Sequence, residues 1–167
     1  MARKVSKQTS GVLSRLRVVV QNASVVGAVP SARKLSRWLE RSLGDEASGE
    51  LAIRIVDETE SADLNLRYRN KSGATNVLSF TGTEPSSSLG EEDRVLGDLV
   101  ICAPVVAREA DAQGKPLDAH WAHIVLHGTL HLLGYDHESN ADAEIMERRE
   151  RELLSALGFD DPYADVR

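Results

Sequence analysis

The sequence predicts a single domain in which helices pack on one β-sheet. Short β-branched or apolar runs alternate along the chain with longer segments whose apolar residues recur at helical spacing. No internal repeat or linker divides the 167 residues, a length that suits one domain of about 100–200 residues. We therefore expect one domain over residues 16–163, a basic flexible tail at 1–15 and a short tail at 164–167.

The first four predicted elements are strand, helix, strand and helix. The run at 16–21 is short and β-branched, and 51–56 alternates its large apolar residues, so both are typical of strands. Ser31 can cap a helix that continues to Leu43 and stops at Gly44. Thr59 can cap a second helix that continues to Asn70.

The second half predicts two more strands and three helices. Strands at 75–80 and 95–102 flank a polar loop at 82–94, and a helix at 104–113 follows. Two further helices are a long one that Asp118 caps and that ends before Gly134, and a last one to Leu157 that Ser139 or Asn140 caps. The apolar stripe of the last helix contains Ile145, Met146, Leu153, Leu154 and Leu157.

Composition excludes several classes of protein. A hydrophobic fraction of 41 % and a charged fraction of 28 % are ordinary for a globular chain and argue against disorder. Cys102 is the only cysteine, so an internal disulfide is excluded, and it is expected to be an inert core thiol. No run approaches the roughly 18 apolar residues of a membrane helix, and no secretory signal is recognisable. We therefore expect a cytoplasmic protein without membrane contact.

The net charge of −6 conceals opposite charges in two parts of the chain. Residues 1–39 carry eight basic side chains and no acidic one, whereas residues 40–167 carry 12 basic and 26 acidic side chains. This asymmetry predicts either internal ion pairing or two surfaces with different partners. The acidic total alone argues against a strongly electropositive nucleic-acid-binding protein.

All five histidines lie between residues 120 and 137. His127 and His131 are four residues apart, so on a helix they share one face, with Cβ atoms roughly 6 Å apart. Gly134 permits the chain to turn, so that His137 can return as a third ligand. Three imidazoles leave a tetrahedral position open, as in catalytic zinc sites. Two hydrogen-bonded core histidines are the alternative, but the combined pattern favours one metal ion.

Three neighbouring residues have two interpretations each. His120 and His123 fall near the same helix face, where they contact either the ligands or substrate, or else hydrogen-bond within the packed helix. Asp136 either orients a ligand imidazole or stabilises the turn.

The ligand spacing H-x3-H-x2-G-x2-H is that of metzincin proteases, with one difference. Gly128 occupies the position at which those enzymes carry their catalytic glutamate. Peptide hydrolysis by the usual metzincin route is therefore disfavoured.

With the motif HGTLHLLGYDH at 127–137, the chain resembles the bacterial YbeY family, the metal-dependent endoribonucleases of rRNA maturation. The likeness runs from about Leu16 to Tyr163, and the chain departs from it in a longer basic start and a serine-rich loop at 86–88. The other matching segments are Leu66-Arg-Tyr-Arg69, Thr75-Asn-Val-Leu-Ser-Phe80, Leu96-Gly-Asp-Leu-Val-Ile-Cys102, His120-Trp-Ala-His123 and Leu157-Gly-Phe-Asp-Asp-Pro-Tyr163.

The resemblance implies a zincin-like α+β fold with a mixed four-stranded sheet, packed helices and a metal site on a helix and the following turn. It implies one zinc ion held by His127, His131 and His137, and an arginine, here Arg69, that cleavage of single-stranded RNA requires. It further implies 16S rRNA 3′-end maturation and ribosome quality control. The implied partners are rRNA and the small ribosomal subunit, with ribosomal proteins or a GTPase as further candidates.

Arg69 also suits this chemistry by residue type. A planar guanidinium can hold two phosphate oxygens and stabilise the charge that develops in phosphoryl transfer. The alternative is a surface arginine paired with Glu60 or Asp63. Arg67 and Lys71 could guide phosphate at longer range, because attraction between charges needs no fixed geometry.

Two further polar residues and two further functions remain open. Asn76, with Thr75 and Ser79, lines a substrate groove or sits at a strand edge, and Asp98 faces the site or forms a turn. The alternative functions are a metzincin-like metallohydrolase or protease, and a non-catalytic ribosome-associated protein stabilised by zinc. The second is disfavoured because structural zinc sites usually have four ligands.

The resemblance changes what the charge asymmetry predicts. We expect the basic residues of 1–39 and the cluster at 67–71 to form the RNA-facing side, near a divalent ion that adds positive charge. The acidic residues of 138–165 would then cover the opposite side or meet a protein partner.

Overall fold

The computed structural model describes residues 16–82 and 94–164, so the predicted tails, apart from Ala164, and the serine-rich loop lie outside the described residues. No helix of the described part is both long and apolar enough to cross a membrane. The strands are β1 (Leu16–Asn22), β2 (Gly49–Val56), β3 (Val77–Thr81) and β4 (Val95–Cys102). The helices are α1 (Ala32–Leu43), α2 (Glu58–Arg69), α3 (Ala103–Gln113), α4 (Leu117–Leu132) and α5 (Asn140–Ala156).

The four strands form one mixed sheet in the order β1-β2-β4-β3. β1, β2 and β4 run parallel, whereas β3 is antiparallel to β4 and forms an edge. The α+β fold with a mixed four-stranded sheet is thereby confirmed. Because β3 is an edge strand, one row of its backbone groups is free to meet other parts of the chain or a ligand.

Alternation along the strands produces two hydrophobic layers. Leu51, Ile53 and Ile55 point to the main core, which α1, α4 and α5 cover. Leu78 and Cys102 belong to a smaller cluster on the opposite face, beside α2. Burial raises the pKa of the Cys102 thiol, as expected for an inert core residue.

Two predicted helix caps are wrong. α2 begins after Asp57 and not at Thr59, and the Asp57 carboxylate accepts hydrogen bonds from Ser24 Oγ and the Val25 N–H at 2.5 and 3.1 Å. α4 begins after Pro116 and not at Asp118; Asp118 lies in the first turn, where its charge suits the helix dipole.

Other boundaries agree more closely with prediction. The Ser31 and Ser139 side chains cap α1 and α5 as expected.

The structure differs from prediction at the start of β3 and in the apolar stripe of α5. β3 begins at Val77 and not at Thr75, because Thr75 bonds Ser61 of α2 through both its N–H and its carbonyl, each at 3.0 Å. Ile145, which was expected in the apolar stripe of α5, is 50 % exposed.

Gly128 lies where α4 passes closest to the sheet. A β-carbon at this position would stand 2.8 Å from Leu99 Cδ2, 3.1 Å from Val77 Cγ2 and 3.3 Å from Ser79 Oγ. The Ser79 hydroxyl also donates a 3.0 Å hydrogen bond to the Gly128 carbonyl. The missing side chain thus allows α4 to approach β3, and a glutamate at this position would be directed into the sheet.

We expect Gly128→Ala to lower the free energy of unfolding by up to about 2 kcal/mol, because an overpacking cost of about 1–3 kcal/mol is partly offset by the roughly 1 kcal/mol that alanine gains over glycine within a helix. Urea denaturation measures this loss. Gly27→Ala is the matched control, since a β-carbon at Gly27 meets nothing within 4 Å. Equal unfolding free energies for the two variants would contradict the close approach of α4 to the sheet.

Candidate metal centre

Three histidines converge at the C-terminal end of α4. His127 and His131 are one turn apart on the helix, and His137 follows in the next segment. Each offers one ring nitrogen, and these three atoms all lie within 4.8 Å of one another. His127 and His131 are half-buried, while His137 is exposed. We refer to these three residues as the histidine triad.

The turn after α4 brings His137 back toward the helix. Gly134 has φ +104°, a left-handed conformation that glycine adopts without strain. The Gly134 N–H donates to the His131 carbonyl and the Tyr135 N–H to the Leu130 carbonyl, the hydrogen-bond pattern of a Schellman motif. The predicted role of Gly134 in reversing the chain therefore agrees with the geometry.

The same turn orients the imidazole of His131. His131 Nδ1 lies 3.0 Å from the Tyr135 carbonyl oxygen, which can only accept a hydrogen bond. The proton is therefore on Nδ1, and Nε2 keeps a free lone pair. Burial, followed by the charges of His127 and His137, lowers the pKa of His131 and so favours the neutral imidazole that metal binding needs.

His127 has a carboxylate partner that the sequence analysis missed. His127 Nδ1 lies 2.5 Å from Glu150 Oε2, while Glu150 Oε1 meets His123 Nε2 at 3.1 Å and accepts a hydrogen bond from the Tyr163 hydroxyl. A signal existed: Glu150 follows Met146 by four residues and precedes Leu153 by three, which places an acidic residue inside the apolar stripe of α5.

Glu150 is fully buried and ionised. Burial alone raises its pKa, but hydrogen bonds from His123 and His127, and the charges of these imidazoles, lower it to about 2. Burial and the bond to Glu150 raise the pKa of Tyr163, so that its hydroxyl remains a donor.

Arg69, the last residue of α2, reaches the edge strand. Its Nη2 donates a 2.7 Å hydrogen bond to the Ser79 carbonyl, and its guanidinium lies 5.4 Å from the centre of the Phe80 ring. The predicted alternative of pairing with an acidic neighbour is wrong, because Glu60 binds Arg54 and Asp63 binds Arg67.

One cleft contains both Arg69 and the histidine triad. Its volume is about 510 Å³, within the range of about 300–1,000 Å³ that ligand sites occupy. We call it the metal cleft; residues of α4 and the following turn, of β3 and of the end of α2 line it. Its lining residues also include Asn65, Lys71, Thr75, Asn76 and Ser79.

The remaining predicted residues divide between the metal cleft and other places. Asn76 lines the metal cleft and donates hydrogen bonds to Glu109, a residue that sequence reasoning missed. His120 also bonds Glu109, at 2.8 Å, within the packed helices.

The two predicted aspartates lie outside this network. Asp136 accepts a hydrogen bond from the Glu138 N–H, which supports the turn interpretation. Asp98 is not brought to the histidines: it lies on the opposite sheet face, beside α2, where strand alternation directs it.

The described basic residues of segment 1–39 lie outside the metal cleft, and their place on the RNA-facing side stays a prediction. Arg17, Arg33, Lys34 and Arg37 do not line the metal cleft. Arg17 is on β1, at the sheet edge opposite β3, and Lys34 pairs with Asp118 at 2.8 Å.

The histidine triad suits a divalent transition metal. Imidazole nitrogens are common ligands of zinc, with bonds of about 2.0–2.1 Å, and the three ring nitrogens here lie close enough together to hold one ion. His131 already presents a free Nε2, fixed by the hydrogen bond on its other nitrogen.

Comparisons with known proteins identify relatives of this chain. The YbeY family model, described as Endoribonuclease YbeY, matches residues 22–158. Three relatives with that same description come from Stenotrophomonas maltophilia, Stutzerimonas stutzeri and Methylococcus capsulatus. The first is 52 % identical over 155 residues, which cover 92 % of this chain and 96 % of the relative. The second is 56 % identical over 140 residues, with coverages of 83 % and 86 %. The third is 53 % identical over 150 residues, with coverages of 90 % and 97 %.

A solved structure shows the same fold. The solution structure of TM1509 from Thermotoga maritima matches with a TM-score of 0.56 and 21 % identity, over 85 % of this chain and 88 % of that one. The match of the family model over most of the chain, together with relatives more than half identical, decides the family: the chain belongs to the YbeY family.

Proposed function

We propose that this protein is a zinc-dependent endoribonuclease that cleaves single-stranded RNA. The observation that carries the proposal is the metal cleft, whose lining contains both the histidine triad and Arg69. Family membership supports the nuclease activity, since the relatives are described as endoribonucleases.

The residues of the metal cleft have separate roles in this proposal. His127, His131 and His137 would hold the ion, which when bound supplies Lewis-acid polarisation of phosphoryl oxygens and acidifies bound water. Arg69 binds the phosphate and stabilises its developing negative charge, with its guanidinium held in place by the Ser79 carbonyl. Lys71 attracts the RNA backbone to the same cleft.

For the biological substrate we propose 16S precursor rRNA, with 3′-end maturation and ribosome quality control as the processes served in the cytoplasm. The resemblance to the YbeY family supports this proposal. The partners would be rRNA and the small ribosomal subunit, with a ribosomal protein or a GTPase as protein partner.

The two alternative functions receive less support. A protease would need a general base next to the first ligand, but Gly128 faces Leu99 and Val77 in the sheet. A purely structural zinc site would be closed by a fourth ligand, whereas this triad opens into the metal cleft.

Cleavage of precursor rRNA tests the proposal directly. Zinc-loaded protein incubated with 16S precursor rRNA is expected to produce discrete fragments, while His127→Ala, which lacks one ligand, is expected to produce none. Gel electrophoresis of end-labelled RNA separates the products. Equal cleavage by both proteins would indicate a contaminating nuclease and count against the proposal.

RNA binding is expected to weaken with salt despite the acidic chain. Each phosphate contact to single-stranded RNA contributes a slope of about −0.7 in log affinity against log salt concentration. Lys71→Ala should therefore reduce the slope by about 0.7. Fluorescence anisotropy of a labelled single-stranded RNA between low and high salt measures it, and an unchanged slope would remove Lys71 from the binding surface.

A further inference from the structure

Glu150 is a buried carboxylate next to, but not in, the metal cleft. It lies on α5, is 0 % exposed and does not line the cleft. An RNA substrate in the cleft therefore has no access to it. Its influence on the site must act through the side chains that it touches.

The most direct of these contacts is to a member of the histidine triad. The 2.5 Å contact between Glu150 Oε2 and His127 Nδ1 occupies one nitrogen of the imidazole. Since a carboxylate accepts hydrogen bonds, the proton of His127 is on Nδ1 and the lone pair is on Nε2. Nε2 lies on the other side of the ring, so the carboxylate both selects the ligand atom and directs it.

The position of the carboxylate is itself fixed. Its second oxygen accepts hydrogen bonds from His123 Nε2 and from the Tyr163 hydroxyl, so that, with His127, three donors from two parts of the chain surround the carboxylate. His123 is on α4, and Tyr163 belongs to the segment that follows α5. A buried carboxylate with three donors cannot rotate without leaving polar groups unsatisfied.

We propose that Glu150 is a positioning residue of the metal centre, which orients His127 for metal binding and is held in place by His123 and Tyr163. This inference rests on the proposed metal site. It assigns a role in metal affinity to Tyr163, which lies in the chain segment beyond the last helix. Histidine ligands whose second nitrogen meets a carboxylate bind metal more tightly, because the ring is oriented and more basic.

Zinc affinity of the full chain tests the role. Competition with a chromophoric chelator is expected to show about 10–100-fold weaker zinc binding for Glu150→Gln, the range found when such outer partners are removed. Tyr163→Phe should weaken zinc binding in the same direction by less, because it removes one of three donors. The visible absorption bands of the Co²⁺-loaded protein should shift in Glu150→Gln, since they respond to the ligand geometry at the ion.

Glu109→Gln is the matched control. Glu109 also bonds a histidine of α4, His120, but contacts no member of the histidine triad. Zinc affinity and the Co²⁺ bands should therefore remain those of the native protein. If Glu150→Gln does not fold, Tyr163→Phe decides, with circular dichroism to establish that it is folded.

The outcomes are distinguishable. Native protein that takes up no zinc would overturn the metal centre itself and this role with it. If the native protein binds zinc and Glu150→Gln binds it equally tightly, the role of Glu150 alone would be overturned. Where Glu150→Gln does not fold, equally tight zinc binding by a folded Tyr163→Phe would overturn that role in the same way. A loss of zinc affinity in Glu109→Gln as large as in Glu150→Gln would also overturn it, since the effect would then be general to the helix packing.

Discussion

His131→Ala is expected to lose the bound zinc and, with it, RNA cleavage. The variant removes one member of the histidine triad, the one whose orientation the turn at 134–135 fixes through the Tyr135 carbonyl. Two imidazoles cannot retain the ion at comparable affinity, so the loss should exceed the roughly 10–100-fold that removal of an outer partner causes. Elemental analysis of the purified protein and the RNA cleavage assay measure both effects.

His120→Gln is the control for this variant. His120 is on the same helix, is 4 % exposed, and bonds Glu109 outside the triad, so its replacement perturbs α4 without removing a ligand. Stoichiometric zinc in His120→Gln and none in His131→Ala would support the site. Full zinc content in His131→Ala would show that the ion binds elsewhere.

Arg69→Ala is expected to reduce RNA cleavage by about 10²–10³-fold, the effect of losing one donor that stabilises transition-state charge. Zinc content should remain that of the native protein, since Arg69 hydrogen-bonds the Tyr68 and Ser79 carbonyls and no member of the histidine triad. Arg69→Lys should recover little of the activity, because an ammonium group cannot make the paired contacts of a guanidinium. The measurements are zinc content and the cleavage rate at saturating RNA.

Arg67→Ala provides the comparison for Arg69. Both arginines are exposed near the end of α2, but Arg67 pairs with Asp63 at 2.9 Å and does not line the metal cleft. Equal losses of cleavage in both variants would reduce Arg69 to a contributor of general positive charge. An unchanged rate in Arg69→Ala with zinc retained would remove it from the chemistry.

Local patterns in the sequence predicted most of the fold. Alternation at 51–56, helical spacing in α1 and the caps at Ser31 and Ser139 depend on neighbours within a few residues, and the structure contains them. Thr59 and Asp118 failed as caps because each lies within the first turn of its helix. The actual N-caps lie two residues before each of them, at Asp57, whose carboxylate Ser24 binds, and at Pro116.

The residues of the site likewise separate into those that local sequence patterns determine and those that depend on tertiary packing. By itself the sequence determined the histidine triad, because its spacing on one helix turn and the conformational freedom of Gly134 are local properties. Only the tertiary structure decided that Glu150 meets His127, that Arg69 shares a cleft with the triad, and that Asp98 does not. These contacts join residues at least 23 positions apart, or depend on which face of a strand meets which helix. Contacts between residues so far apart in sequence leave no periodic signal. They are set by the packing of α4 and α5 against one face of the sheet and of α2 against the other.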